Sequence, residues 1–378
     1  MENNIINNNF DIVIIGAGLS GATLAERYAN KLNKKVLIIE KRDHIGGNCF
    51  DKIDENGLLV SKYGAHTFHT NNEKIWEYVN QFSSWQPFTY KVVSKVDGKL
   101  VPIPVNINTI NQIFGLNLQN ELEAKNWLEK NTEKIINPKN SEESAISRVG
   151  KVLYEKLFKN YTIKQWDTDP SKLDPSVLNR IPIHTSFDDR YFTDKYQVVP
   201  VGGYTKFIEK MISNPNIKIV LNTEFDYFKN NNLKFEKLFF TGPIDRFFEN
   251  KFEKLQYRSL RFEFETHEKE WYQQYPAVHY PNEEKFTRII EYKHFTGQKN
   301  NKTVISKEYP TWEGEPYYPV PTKHNQEIYE RYRTEALALE KKNIYFVGRL
   351  ANYKYFNMDE AIKNALELFE QIENIKQI

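Results

Sequence analysis

The sequence predicts an α/β fold, and three observations carry that prediction. An apolar, β-branched run at residues 10–15 stands directly before Gly16, Gly18 and Gly21. A helix-period stretch and a second apolar run at 36–39 follow, the order of a parallel βαβ unit. Near the C-terminus "NIYFVGRLANYKYFNMDEAIKNALELFEQI" repeats that order of strand, glycine turn and helix. A chain that returns in this way to its first sheet has a first domain that is discontinuous in sequence.

The opening unit is justified residue by residue. Residues 10–15 are apolar on both faces, as a buried parallel strand requires. Gly16 permits the tight turn. Gly18 lets the backbone approach a pyrophosphate at the helix N-terminus, and Gly21 lets helix and strand pack closely. Ala22, Leu24, Ala25, Tyr28, Ala29 and Leu32 supply the apolar and small positions of the helix. Glu40 ends the second strand about 20 residues beyond the glycines, where a carboxylate accepts hydrogen bonds from a ribose. Gly16, Gly18, Leu19, Ser20, Gly21, Glu40 and Lys41 are therefore the candidate contacts of a dinucleotide. Gly46-Gly47-Asn48 then offers a second close backbone approach, which adds Gly47 and Asn48. That second glycine pair resembles the GR2-type, amine-oxidase-like flavoproteins, and the resemblance implies FAD rather than NAD.

Residues 72–84 read as a short amphipathic helix. "YKVVSKVDGKLVPIPV" reads as a hairpin turning at Asp97-Gly98. Residues 107–165 are mainly helical by pattern, interrupted near Asn137-Pro138, and 175–192 read as a partly mobile segment. A helix follows Gly202-Gly203, then strands at "IKIVLNTEF" and "KLFFTGPIDRFF", and residues 257–308 alternate as antiparallel strands.

Composition narrows the function. The 378 residues suffice for two or three lobes. Charge is nearly balanced, 52 basic against 50 acidic residues, so neither nucleic acid nor an anionic membrane is expected as partner. An anionic ligand would have to meet a few local arginines. One cysteine, Cys49, excludes an internal disulfide and fits a reducing, cytoplasmic setting. No stretch approaches the ~18 apolar residues of a membrane span. "MENNIINNNF" lacks the pattern of a secretory signal and reads as a frayed leader. Aromatic residues make up 14% of the chain, enough to fill a core and still line a site for flat ligands. "YGAHTFHT" places His66 and His69 three apart. They are open to three readings: a metal pair, backbone-bonded structural residues, or a surface against a flat cofactor. The metal reading lacks further ligands nearby.

The blocks "IIGAGLSGATLAE", "GGNCFD", "YGAHTFHT", "NYTIKQW", "LNRIP", "DDRYF", "PVGGYTKF", "FTGPIDRFF", "FTRIIEYKHF", "YYPVP" and "FVGRLANYKYFNMDEAI" stand in order between about residues 10 and 370. Together they resemble the UDP-galactopyranose mutase family. The resemblance implies a flavin-dependent isomerase that interconverts UDP-galactopyranose and UDP-galactofuranose with no net redox change. It implies that FAD is active in its reduced form, with N5 as nucleophile on the anomeric carbon; NAD(P)H is a candidate external reductant, which the sequence itself does not specify. It implies a GR2-type FAD-binding Rossmann-like domain with a helical lobe and a twisted antiparallel β-sheet lobe; members of the family are often dimers, so a homodimer is a candidate assembly. The divisions expected are 1–85 and 331–378 for the FAD-binding domain, 86–105 for a sheet hairpin, and 106–185 for the helical lobe with its mobile segment. Residues 186–245 would alternate between sheet and FAD domain, and 246–330 would form the antiparallel sheet.

Site residues carry over by motif. His66 and His69 would pack beside the flavin. Arg180 and Arg288 would hold the diphosphate through guanidinium forks. Tyr161, Thr162 and Trp166, with Leu157 and Phe158, would wall the uracil and ribose, and Tyr191 would close over them. Tyr318 and Tyr355 would offer hydroxyls to phosphate oxygens. Arg349 would lie near the flavin, and Met358 would begin a helix aimed at its ring. Three positions depart from the family's pattern. His279 stands where many members carry Asn beside the sugar, Asn357 where many have Asp, and His184 where a second arginine often occurs. His279 keeps UDP-N-acetylgalactosamine open as the substrate. A GR2-type flavin oxidoreductase is the other alternative.

Overall fold

A computed structural model describes residues 9–226 and 234–374; residues 1–8 of the expected leader at 1–10 lie outside them. Five parallel strands form the first sheet, in the order Ile217–Val220, Val36–Ile39, Ile12–Ile15, Lys237–Phe240 and Ile344–Phe346. Strand Ile12–Ile15 is fully buried, which explains why it reads as an unbroken apolar run rather than an alternating one. Helices Leu19–Leu32, Tyr204–Met211 and Met358–Ile372 share one core against this sheet, around Leu24, Tyr28, Phe207, Phe239 and Phe369. The opposite face is closed by Phe225, Phe240, Phe247 and Phe346.

The second sheet has seven strands, in the order Tyr318–Pro319, Tyr257–His267, Thr303–Thr311, Arg288–Glu291, Ala277–His279, Val92–Val96 and Lys99–Ile103. It is antiparallel except where Ala277–His279 runs parallel to Val92–Val96. The hairpin at Asp97-Gly98 is present, with φ of 51° and 76° at the two turn residues. Such left-handed pairs match the twist of the flanking strands. A three-stranded sheet, Phe68–Thr70, Tyr196–Pro200 and Trp85–Pro87, lies in the same chain.

Some elements differ from expectation. The helix expected at 72–84 runs over Glu73–Val79 and so ends short, and a strand, Trp85–Pro87, follows. Helix Lys323–Glu340 was not legible by composition, being mostly polar, and it runs across the division placed between 330 and 331. Its buried stripe of Ile328, Tyr329, Tyr332 and Ala336 packs on Ile244, Leu255 and Tyr353. The segment 175–192, expected to be partly mobile, opens on the short helix Ser176–Asn179 and is hydrogen-bonded to its neighbours: His184 N donates to Val105 O at 2.8 Å and Tyr191 N to Tyr90 O at 2.9 Å. No helix among the described residues is long and apolar enough to cross a membrane.

Candidate functional site

Two cavities meet in the middle of the molecule. The larger, about 550 Å³, lies over the C-terminal ends of the parallel strands and is floored by glycines. This is where ligands bind in open α/β sheets. A Cβ on Gly16 would stand 2.1 Å from Thr241 Oγ1, and one on Gly47 would stand 3.0 Å from Gly18 Cα. The two glycine turns thus face each other, and any side chain there would fill the space between them. The first helix starts at Gly18 with no side-chain cap, which leaves its leading N–H groups for an anion. Glu40 is 6% exposed. Its Oε2 accepts from Ala17 N at 2.8 Å and its Oε1 from Arg42 N at 2.9 Å. Each oxygen keeps a lone pair for a further donor such as a ribose hydroxyl.

Gly16, Gly18, Leu19, Ser20, Gly21, Glu40, Lys41, Gly47, Asn48, His66, Arg349 and Met358 all line this glycine cavity. Lys41 sits there with its ammonium paired to Glu315 at 2.5 Å. Helix Met358–Ile372 begins at Met358, and Glu360 Oε2 accepts from Asn357 N at 2.7 Å at its start. Arg42 was missed. Its Nη2 donates to Asn48 Oδ1 at 2.9 Å, its guanidinium lies 4.4 Å over the Tyr63 ring, and its buried Nη1 has no partner. The signal was available: Arg42 stands two residues beyond the acid. Buried, unpartnered Arg42 Nη1 and His66 Nδ1, together with the glycine cradle, fit a dinucleotide cofactor.

The smaller cavity, about 210 Å³, lies between the helical lobe and the seven-stranded sheet. Leu157, Phe158, Tyr161, Thr162, Trp166, Arg180, Tyr191, His279, Arg288, Tyr318, Tyr355 and Asn357 line it, as do His66 and His69. The two cavities share His66, Arg349, Asn357 and Met358. Leu157 and Phe158 come from a π-helical turn, Tyr154–Lys159, a feature frequent at functional sites because it swings a side chain out of helical register. Tyr161 stacks on His279, ring centroids 4.6 Å apart. Tyr318 stacks on Tyr355 at 5.4 Å, and the Arg180 guanidinium lies 4.4 Å over the Tyr355 ring. Arg349 lies 5.1 Å over the same ring.

Positive charge dominates this second cavity. Arg288 Nε donates to Glu308 Oε2 at 2.6 Å, and Glu308 is 1% exposed. Burial works against the Arg288 charge, but Glu308 together with Tyr161, Tyr90 and Tyr318 outweighs it and keeps the guanidinium firmly protonated. Burial raises the Tyr355 phenol, yet Arg180, Arg349 and Arg288 outweigh that and hold it below the ordinary phenol value. Burial first, then Arg349 and Arg288, lowers His66 to about 4. Burial and Arg288 lower His279 to about 3. Both imidazoles are neutral at pH 7.

The histidine pair divides. His66 lines both cavities, whereas His69 lines only the smaller one. His69 Nδ1 is held by Asp194 Oδ2 at 2.9 Å, and its ring stacks on Phe192 at 3.7 Å. His69 is the middle residue of strand Phe68–Thr70 and faces away from its buried neighbours, whereas His66 precedes the strand. No group of three or more His, Cys, Asp or Glu suited to a metal occurs among the described residues. His184 turns its Nε2 to Arg190 O, 3.3 Å away, outside both cavities.

A family model described as UDP-galactopyranose mutase matches residues 156–355. A probable UDP-galactopyranose mutase of Klebsiella pneumoniae is 38% identical, over 98% of each chain. The chain belongs to the UDP-galactopyranose mutase family. As a member it is an isomerase. A second family model, an NAD(P)-binding Rossmann-like domain, covers residues 14–82, where the glycine turns lie. A dTDP-fucopyranose mutase of Escherichia coli is 39% identical, over 94% of this chain and 96% of that protein. The crystal structure of a reduced UDP-galactopyranose mutase superposes with a TM-score of 0.78 at 17% identity, covering 98% of this chain and 95% of that one. At that identity the likeness concerns the fold alone, which this mutase-family chain shares.

Proposed function

We propose that the protein interconverts UDP-galactopyranose and UDP-galactofuranose with FAD in the glycine cavity and the sugar nucleotide in the aromatic one. The observation that carries the reading is the cluster of Arg180, Arg288 and Arg349 around the stacked Tyr318–Tyr355 pair, in a cavity that opens into the glycine cradle at His66. Reduced FAD, when bound, supplies a nucleophilic N5 for the anomeric carbon. The chain's own residues do the rest. Arg180 and Arg288 take the diphosphate and stabilise the charge that grows on it as the sugar–phosphate bond breaks. Tyr318 and Tyr355 donate their hydroxyls to its oxygens. Tyr161, with Leu157, Phe158, Thr162 and Trp166, holds the uridine, and Tyr191 covers it. His279 stands at the sugar. His66, neutral at pH 7, accepts or donates one hydrogen bond at the seam without adding charge. His69, held by Asp194, supports the wall through Phe192. Asn357 and Met358 present a helix N-terminus to the same seam.

The cationic cluster favours this reading over a GR2-type oxidoreductase, whose substrate oxidation calls for no diphosphate clamp. The proposal includes a cytoplasmic homodimer reduced by NAD(P)H. The deciding experiment is chromatography of products from the dithionite-reduced protein. It is given UDP-galactofuranose, UDP-N-acetylgalactofuranosamine or the dTDP-fucose pair in parallel. Conversion of UDP-galactofuranose only after reduction is expected. Preference for either other sugar nucleotide reassigns the substrate, and oxygen consumption with flavin reduction by substrate points to the oxidoreductase instead.

A further inference from the structure

The segment that carries Arg180 is gripped at both ends by one helix, Ser141–Val149. At the helix N-terminus Ser141 Oγ donates to Asp174 O at 2.6 Å and Ser141 N to Leu173 O at 2.9 Å. In its last turn the Arg148 guanidinium donates to three carbonyls. Nη1 reaches Leu178 O and Asn179 O, each at 3.2 Å, and Nη2 reaches Ile181 O at 2.7 Å. These carbonyls bracket Arg180 in the chain. Leu178 and Asn179 end the short helix Ser176–Asn179, and terminal carbonyls of a helix have no partner within it. Burial lowers the Arg148 pKa and no acid offsets it, so the guanidinium is held by backbone dipoles.

The geometry suits an arginine. A planar fork offers five donors in fixed directions and can serve three carbonyls at once. Buried Val177 and Leu178 seat the same segment in the helical core. The Arg180 side chain, its Nε donating to Val177 O at 3.2 Å, then runs into the aromatic cavity, where its guanidinium lies over Tyr355. We propose that Arg148 is the positioning residue for Arg180. By pinning the carbonyls of residues 178, 179 and 181, it sets the place where the Arg180 guanidinium meets the diphosphate of the sugar nucleotide. This inference rests on the diphosphate role given to Arg180 above.

A positioning role differs measurably from a merely structural one. It is felt only by ligands that carry phosphates, and only when Arg180 is present. The test uses the full-length, flavin-loaded protein as Arg148→Gln and Arg148→Lys, titrated with UDP and with uridine, then repeated in an Arg180→Ala background. Arg148→Gln should raise the Kd for UDP about tenfold while leaving that for uridine within about twofold. Arg148→Lys, which keeps the charge but reaches fewer carbonyls, should give a smaller rise of the same kind. In the Arg180→Ala background the added Arg148→Gln change should move the UDP Kd by less than about twofold. An unchanged UDP Kd, an equal loss for UDP and uridine, or a full effect persisting without Arg180 overturns the proposal. Should Arg148→Gln not fold, the same comparisons with Arg148→Lys decide. Arg180→Ala alone separates the two readings. If it leaves UDP binding intact, the diphosphate assignment fails and this proposal with it. If it weakens UDP while the Arg148 variants do not, only the Arg148 proposal fails.

Discussion

The glycine cavity and the aromatic cavity touch at His66, yet they are built by opposite means. The first is floored by backbone, from turns at Gly16–Gly21 and Gly46–Asn48 that lie close in sequence. The second is walled by side chains from stretches as far apart as Tyr63 and Tyr355. A cavity made of absent side chains fails all at once when an atom is added. A cavity made of many side chains fails by degrees as each is removed. Four variants break or sharpen that contrast.

The largest effect is expected at Gly16, whose φ of 108° already excludes most residues. In Gly16→Val the new Cβ would fall on Thr241 Oγ1, and purified protein should carry no flavin. A variant that stays yellow, by absorbance and cofactor-to-protein ratio, would end the contrast. Next comes Arg288→Ala. Losing one preorganised cation should cut turnover by roughly 10²–10³-fold, with the flavin content unchanged because the glycine cavity is untouched. Full activity would remove Arg288 from the site.

His279 should give a smaller, graded result. His279→Phe keeps the ring against Tyr161, whereas His279→Ala removes a stack worth about 0.5–1.5 kcal/mol. KM for the sugar nucleotide should therefore rise more for Ala than for Phe. The reverse order would show that the imidazole nitrogens, not the ring face, meet the substrate.

The smallest effect is on stability against pH. In the unfolded chain His66 and His279 titrate near 6.5, but folded they titrate near 4 and 3. Between those limits the unfolded chain binds protons that the folded chain refuses, so lowering the pH favours unfolding. The stabilising contribution is complete above about 6.5 and fades as pH falls through 4 to 3. Melting temperatures of His279→Phe should decline less steeply from pH 7 to 4 than those of the native protein. Parallel curves would contradict the buried, neutral state of this side chain.

Legibility followed the same division. The strand, glycines, helix and acid of the first βαβ unit could be read directly, because their reasons are local: a turn needing positive φ, a strand buried on both faces, a carboxylate one strand away. Arg42 was overlooked although it belongs to the same stretch, since a lone charged residue reads as solvated surface until its neighbours are placed. The aromatic cavity was found through family motifs, not through pattern. Tyr161 and Trp166 look like helix core, and Trp166 is indeed buried. His69 turned out to lie off the glycine cavity, with its imidazole held by Asp194 and stacked on Phe192. Helix Lys323–Glu340 went unseen because four buried apolar positions among polar ones give a weak period.

By itself, then, the amino-acid order determined the first parallel strand pair, the glycine floor and the acid beside it, all of which depend on backbone conformation within about forty residues. Only the tertiary structure decided that Arg180, Arg288 and Arg349 converge on one pair of tyrosines, that Glu308 is the acid holding Arg288, and that Arg148 holds the segment before the cleft. Charges far apart in the chain acquire partners, and shifted affinities for protons, only when folding removes the water between them.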